Sequence, residues 1–153
     1  MHQRFTALVD RLDTKCQQLL AMPPVAADDV SSVTPHGGIY LFSEGDEHLY
    51  TGRTKGPIHV RIRQQFGTNA NAASFPWLIA REATGMQATY QTTGSRADLL
   101  TDPKFGMAYR DARDRIRRMH VRYVHEPEPL RQALLEIYVA VVAEAKYNNF
   151  DTH

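Results

Sequence analysis

The chain contains very little cysteine and no long apolar run. Its one cysteine, Cys16, cannot form an internal disulfide, and this composition is typical of proteins in a reducing compartment. No apolar run reaches the length that a bilayer span requires, and the opening Met1-His2-Gln3-Arg4 does not resemble a signal peptide. We therefore expect a soluble protein of the cytoplasm.

The chain also lacks a strong net charge and a histidine cluster. Its 18 Lys and Arg residues against 17 Asp and Glu give a charge of +1, whereas nucleic-acid-binding domains are often more basic. The basic residues are concentrated, however, at 53–63 and at 110–122, and these segments either form ordinary solvated surface or a local face for phosphates. The seven histidines have no spacing typical of a metal site, which favours surface or packing roles.

The periodicity of the apolar residues predicts an α+β fold in a single domain spanning 1–153. The predicted elements are a helix at 3–22, a connector at 23–36, strands at 38–42 and 48–51, helices at 57–66 and 75–83, a strand within 88–93, helices at 97–100 and 105–119, a strand at 120–126 and a helix from 129 to about 147. The strands at 38–42, 48–51 and 120–126 together predict a small, mainly antiparallel three-stranded sheet flanked by helices. Residues 1–36 then form an N-terminal helix and connector, and residues 68–115 a helical insertion.

The last predicted helix contains one acidic residue in an otherwise apolar stretch. In "ALLEIYVAVVA", residues 133–143, ten of the eleven residues are apolar and Glu136 is the exception. We expect most faces of this helix to be covered, and a buried carboxylate without a partner is costly. Glu136 therefore either has an arginine, a hydrogen-bond network or a metal as its partner, or lies at the rim of the apolar stripe and faces water.

The predicted hairpin contains two tyrosines and is followed by cations. Tyr40 and Tyr50 are either ordinary cross-strand aromatics or part of a site with the basic residues Arg53, Lys55, Arg61 and Arg63. A carboxylate can hold a divalent cation, arginine can stabilise charge on a phosphate, and a tyrosine whose pKa is lowered by cations can accept a proton from water. Together these residue types suggest phosphodiester chemistry.

Four separated motifs resemble those of the GIY-YIG nuclease domain. Gly38-Ile39-Tyr40 matches the first signature, and Tyr50-Thr51-Gly52 resembles the second, with threonine in place of the usual isoleucine or valine. Arg61 resembles the arginine of the family's next helix. It comes one residue later than that motif predicts, so Arg63 is an alternative for the same role. Glu136 and Asn148 resemble the glutamate and the asparagine of the family's last motif. Gln65 stands where some members of the family have histidine.

The resemblance implies a metal-dependent endonuclease that acts on DNA or, as an open alternative, RNA. It implies that Glu136 is the sole ligand of one Mg²⁺ or Mn²⁺ ion, and that Tyr40 and Tyr50 position or deprotonate the attacking water. It further implies that Arg61 stabilises the phosphate and that Asn148 closes the site through hydrogen bonds. We expect the remaining cations of the hairpin region to contact nucleic acid; these are Arg53, Lys55 and Arg63.

Two other classes of function are compatible with the sequence. The low net charge favours a nucleic-acid-binding or interaction module that keeps the fold and cuts little. Alternatively, the chain is a subunit of a larger assembly that docks through the helix at 3–22. A dimer is a further expectation, because a single site per chain would need two copies or two visits to cut both strands.

Overall fold

The computed structural model describes residues 1–89 and 93–150. It contains one antiparallel sheet of four strands: β1 (Val25–Ala26), β2 (His36–Glu44), β3 (Glu47–Pro57) and β4 (His120–His125). Their order is β1-β4-β2-β3, so β3 is an edge strand. The predicted α+β class and antiparallel pairing are confirmed. The strand expected within 88–93 includes residues 90–92, which lie outside the described residues.

The prediction of three strands missed β1, which pairs with Val121 and His120 of β4. Two residues are too few to produce an alternating pattern, so no sequence signal was available. Strands β2 and β3 also extend beyond their predicted bounds. Their turn lies where expected, with Gly45 in the left-handed region at a φ of 56°, which suits a tight hairpin.

The helices surround this sheet or lie between β3 and β4 along the chain. They are α1 (Gln3–Val9), α2 (Leu12–Ala21), α3 (Ile58–Gln64), α4 (Phe75–Thr84), α5 (Arg96–Thr101), α6 (Pro103–Arg117) and α7 (Pro129–Val142), with a 3₁₀ turn at Ala27–Asp29. None of the helices among the described residues is both long and apolar enough to cross a membrane.

Two helix predictions were wrong in their extent. The continuous helix at 3–22 is two helices, because the chain turns at Arg11 (φ −105°, ψ 1°); α1 has no buried residue, whereas α2 enters the core. The last helix ends at Val142 rather than near 147, since Glu144 adopts a left-handed φ of 51°. The backbone beyond it is then free to pair with β3.

The chain divides into two compact units, one formed by residues 1–63 and 119–153 and the other by residues 64–118. The first contains the sheet, and its core joins α2 and α7 to one sheet face through Leu12, Cys16, Leu19, Ile39, Leu41, Val124, Leu135 and Val139. The second packs α4, α5 and α6 around Trp77, whose indole N–H donates to the carbonyl of Ala70 at 2.7 Å.

The surface of α7 differs from its prediction as a helix covered on most faces. Ile137, Val141 and Val142 are 48%, 69% and 45% exposed. Only the side formed by Leu135 and Val139 is fully packed against the sheet. Apolar composition alone did not reveal this, because an apolar residue on the open side of a helix is common in folded proteins.

Candidate active site

The two tyrosines of the hairpin project from the same face of the sheet. Tyr40 and Phe42 are two residues apart in β2, and Tyr50 pairs with Phe42 across the hairpin, so alternation places all three side chains on one side. The ring centroids of Tyr40 and Tyr50 are 6.5 Å apart, and Tyr40 meets Phe42 edge-on at 5.8 Å. Tyr40 is fully buried. The two tyrosines are therefore ordinary cross-strand aromatics, and they also lie close to each other.

Gly52 provides the space that the Tyr40 ring occupies. It is the cross-strand partner of Tyr40. A Cβ at this position would lie 2.5 Å from Tyr40 Cζ and closer still to the hydroxyl oxygen. Real Cβ atoms essentially never approach a neighbour so closely. The glycine of "Tyr50-Thr51-Gly52" thus has a steric function that we did not derive from the sequence, because the cross-strand register was unknown.

Helix α3 brings Arg61 to the tyrosine face. Ile58 at its start packs against Gly38, where a Cβ would lie only 2.7 Å from Ile58 Cδ1, and Gly38 shares the face of Tyr40 two residues on. The side chain of Arg61 forms a hydrogen bond with that of Tyr40. This bond and the arginine charge both favour the ionised phenol, although burial outweighs them.

Arg63 is directed elsewhere and belongs to the structure of the connector. Its guanidinium donates to the carbonyl of Val30 at 2.8 Å and to Ser32 Oγ at 3.5 Å. These bonds attach α3 to the segment that precedes β2. The geometry therefore places Arg61 beside Tyr40, whereas the described hydrogen bonds of Arg63 go to the connector; the expected contact of Arg63 with nucleic acid stays a prediction.

Glu136 reaches the edge strand from the opposite side of the sheet. Its neighbour Leu135 packs on the Ile39 and Leu41 face. Arg53 pairs with Ile39 across the hairpin and so projects on that same face. Arg53 Nε lies 3.1 Å from Glu136 Oε2, with side chains 46% and 20% exposed. Of the alternatives for Glu136, the structure shows an arginine partner at a half-buried position.

The charges connect these groups across β3. Burial raises the pKa of Glu136, and the charges of Arg53 and Arg61 oppose this shift. Burial, followed by the Glu136 charge, raises the pKa of Tyr50 to about 12, while Arg61 acts to lower it. The charges of Glu136 and Arg61 thus both affect the ionisation of the two tyrosines. Although Glu136 comes from the other sheet face, the four residues form one electrostatic cluster around the edge strand.

The tyrosines are not activated as bases in the protein alone. We expected nearby cations to lower their pKa, but burial dominates and the pKa of Tyr40 and that of Tyr50 are both raised. Both phenols are therefore protonated near neutral pH and act as hydroxyl groups. This favours positioning of a water or a phosphate oxygen over removal of a proton by a phenolate.

Asn148 binds the backbone of the edge strand rather than the cluster itself. The N–H of Thr51 donates to Asn148 Oδ1 at 2.8 Å, and Asn148 Nδ2 donates to the carbonyl of Thr51 at 2.9 Å. Tyr147 N–H donates to the Leu49 carbonyl at 2.8 Å. The asparagine amide therefore acts like one residue of an added strand, and it fixes the backbone between Tyr50 and Gly52.

The two remaining cations of the hairpin lie on the exposed part of β3. Arg53 forms an ion pair with Glu136, and Lys55 is exposed two residues further along the strand. Alternation places both on the same face. This pair could meet a phosphate backbone that passes the edge of the sheet.

A divalent cation is chemically compatible with Glu136. Mg²⁺ prefers oxygen ligands and is commonly bound through one or two carboxylates, with water and substrate phosphates completing its shell. Glu136 supplies one half-buried carboxylate that retains access to solvent. Within 1–89 and 93–150, no group of three or more His, Cys, Asp and Glu side chains is placed to hold a metal; a site with a single carboxylate does not need one.

Comparisons of the chain with protein-family models, with curated proteins and with solved structures found no match. The functional interpretation therefore rests on the four short motifs and on the geometry of the residues in them.

Proposed function

We propose that the protein is a metal-dependent endonuclease that hydrolyses phosphodiester bonds, with DNA as the expected substrate. One observation carries the proposal: Tyr40, Tyr50, Arg61 and Glu136 come from four elements and form one electrostatic cluster at the edge strand. Placing a carboxylate, a guanidinium and two phenols together at partly buried positions raises the free energy of the folded state unless they have partners, so packing alone does not account for this combination.

We assign each residue a role that its chemistry and its position allow. Arg61 binds an oxygen of the scissile phosphate and stabilises the charge that grows on it. The protonated hydroxyls of Tyr40 and Tyr50 orient the attacking water. Glu136 holds the divalent cation, Mg²⁺ or Mn²⁺, which when bound polarises the phosphate and stabilises the leaving oxygen. Asn148 acts indirectly by fixing the strand between Tyr50 and Gly52.

Cleavage assays test this proposal directly. Plasmid, single-stranded and branched DNA, and RNA, are incubated with Mg²⁺ or Mn²⁺ and with wild type, Glu136→Gln or Glu144→Gln. Glu144 is an exposed carboxylate just beyond α7, so it is a matched control. We expect cleavage by wild type and Glu144→Gln, and a loss of at least about a hundredfold in Glu136→Gln, as for removal of a group that acts in the transition state. Absence of cleavage by wild type on every substrate would contradict the proposal.

A second candidate function is a nucleic-acid-binding or interaction module that cuts little. The observation in its favour is the Arg53–Glu136 ion pair, because it neutralises the carboxylate that a cation would need. Under this alternative, wild type binds DNA or RNA in a gel-shift assay, no substrate is cut with either metal, and Glu136→Gln binds nucleic acid as wild type does.

A further inference from the structure

The ion pair between Arg53 and Glu136 occupies the carboxylate oxygen that faces the edge strand. The two atoms in contact, Arg53 Nε and Glu136 Oε2, are 3.1 Å apart. Arg53 approaches from β3 and Glu136 from α7, so the pair also joins the edge of the sheet to the helix layer. A cation bound at that oxygen would meet the arginine charge at close range, and both could not occupy the same position.

We propose that Arg53 is a built-in counter-ion of Glu136 that exchanges the carboxylate for a substrate phosphate when a divalent cation binds. This inference rests on the proposed function. Without cation, Arg53 compensates the half-buried carboxylate. With cation and nucleic acid, the cation takes the carboxylate oxygen and the guanidinium moves to the phosphate backbone. Cation and phosphate therefore bind cooperatively, each making the other's site available.

The position of Arg53 suits such an exchange. Its side chain is 46% exposed on an edge strand, so about half of it is accessible to solvent and to a ligand. An ion pair with this exposure contributes little to stability, since solvent screens it. Phosphate is a strong alternative partner, because the planar guanidinium can donate two parallel hydrogen bonds to it. Arg53 can thus leave Glu136 at small cost when a phosphate is present.

The first test measures binding of Mn²⁺ alone, by electron paramagnetic resonance of the free ion, to wild type, Arg53→Gln, Glu136→Gln and Lys146→Gln. Lys146 is an exposed cation of the same unit and controls for loss of one positive charge. We expect Arg53→Gln to bind Mn²⁺ about two- to fivefold more tightly than wild type, the range that loss of a weak competing ion pair gives. Lys146→Gln should change the affinity less than about twofold, and Glu136→Gln should lose most of the binding.

The second test adds a phosphorothioate-linked oligodeoxynucleotide that resists cleavage. It should raise the Mn²⁺ affinity of wild type by a larger factor than that of Arg53→Gln, because only wild type has a counter-ion to transfer. Arg53→Lys serves as a second variant, with an intermediate Mn²⁺ affinity expected, and circular dichroism confirms that each variant is folded.

The outcomes separate the two proposals. If Glu136→Gln loses Mn²⁺ binding while Arg53→Gln binds no more tightly than Lys146→Gln, the counter-ion role is wrong and the metal site stands. If Glu136→Gln binds Mn²⁺ as wild type does, the metal site itself is wrong. Equal enhancement by the oligodeoxynucleotide in wild type and Arg53→Gln would refute the transfer to phosphate.

Discussion

Substitution of Gly52 by alanine is the most direct test of the geometry at the edge strand. The new methyl group would lie 2.5 Å from Tyr40 Cζ, 3.0 Å from Cε2 and closer still to the hydroxyl oxygen. The ring has little freedom to move away, because Tyr40 is fully buried and in contact with Phe42 and Tyr50. The backbone carbonyl of Tyr40 also accepts a hydrogen bond from the Thr51 hydroxyl at 2.9 Å. Either the ring or the strand must shift.

The expected cost follows from the overlap. Adding a methyl group to a packed site typically lowers the free energy of unfolding by about 1–3 kcal/mol. Displacing the Tyr40 hydroxyl also removes its hydrogen bond with Arg61, which adds about 0.5–1.5 kcal/mol. We therefore expect Gly52→Ala to lose about 1.5–4.5 kcal/mol of unfolding free energy and, if the proposed function holds, to lose cleavage with it.

Urea denaturation followed by circular dichroism measures this loss. Gly56→Ala is the matched control on the same strand, because the nearest atom to its new Cβ, Thr54 Oγ1, is 3.9 Å away; we expect its stability to stay within about 0.5 kcal/mol of wild type. In a Tyr40→Phe background the oxygen is absent, so Gly52→Ala should cost less than in wild type. A Gly52→Ala protein as stable as Gly56→Ala would refute the close approach of Tyr40.

Two further predictions concern Asn148 and Glu136. Asn148→Ala removes both hydrogen bonds to the Thr51 backbone and should lower the free energy of unfolding by about 1–3 kcal/mol; urea denaturation that shows no loss would contradict the strand-like role of the amide. Burial raises the pKa of Glu136 above its ordinary value, so its ionisation disfavours the folded state. The unfolding free energy of wild type relative to Glu136→Gln should therefore fall as pH rises from below the ordinary carboxyl pKa through the raised one, and a pH-independent difference would contradict this.

The fold class and most elements could be predicted from periodicity, because α7 and the hairpin have strong patterns of their own type. What could not be predicted depends on pairing between distant segments. Strand β1 exists only because Val25 and Ala26 meet β4. The break at Arg11 and the early end of α7 likewise depend on the tertiary structure, which local helix propensity does not encode.

The candidate site shows the same division between local and distant information. Residue types and order were sufficient to propose Tyr40, Tyr50 and Glu136 as site residues, with Arg61 or Arg63 as the arginine. They were not sufficient to decide between Arg61 and Arg63, because that choice depends on which side of α3 faces the sheet. Nor could they show that Arg53 pairs with Glu136, since this requires knowing that both project on the same sheet face.

The contact of Asn148 with Thr51 joins positions 97 residues apart, and this has a consequence for synthesis of the protein. Until residues 146–148 have left the ribosome, the outer side of β3 near Leu49 and Thr51 has no backbone partner from this segment. An open strand edge of this kind can pair with another chain. We therefore expect the strand that bears Tyr50 to be open to pairing with another chain until residues 146–148 bind its outer side.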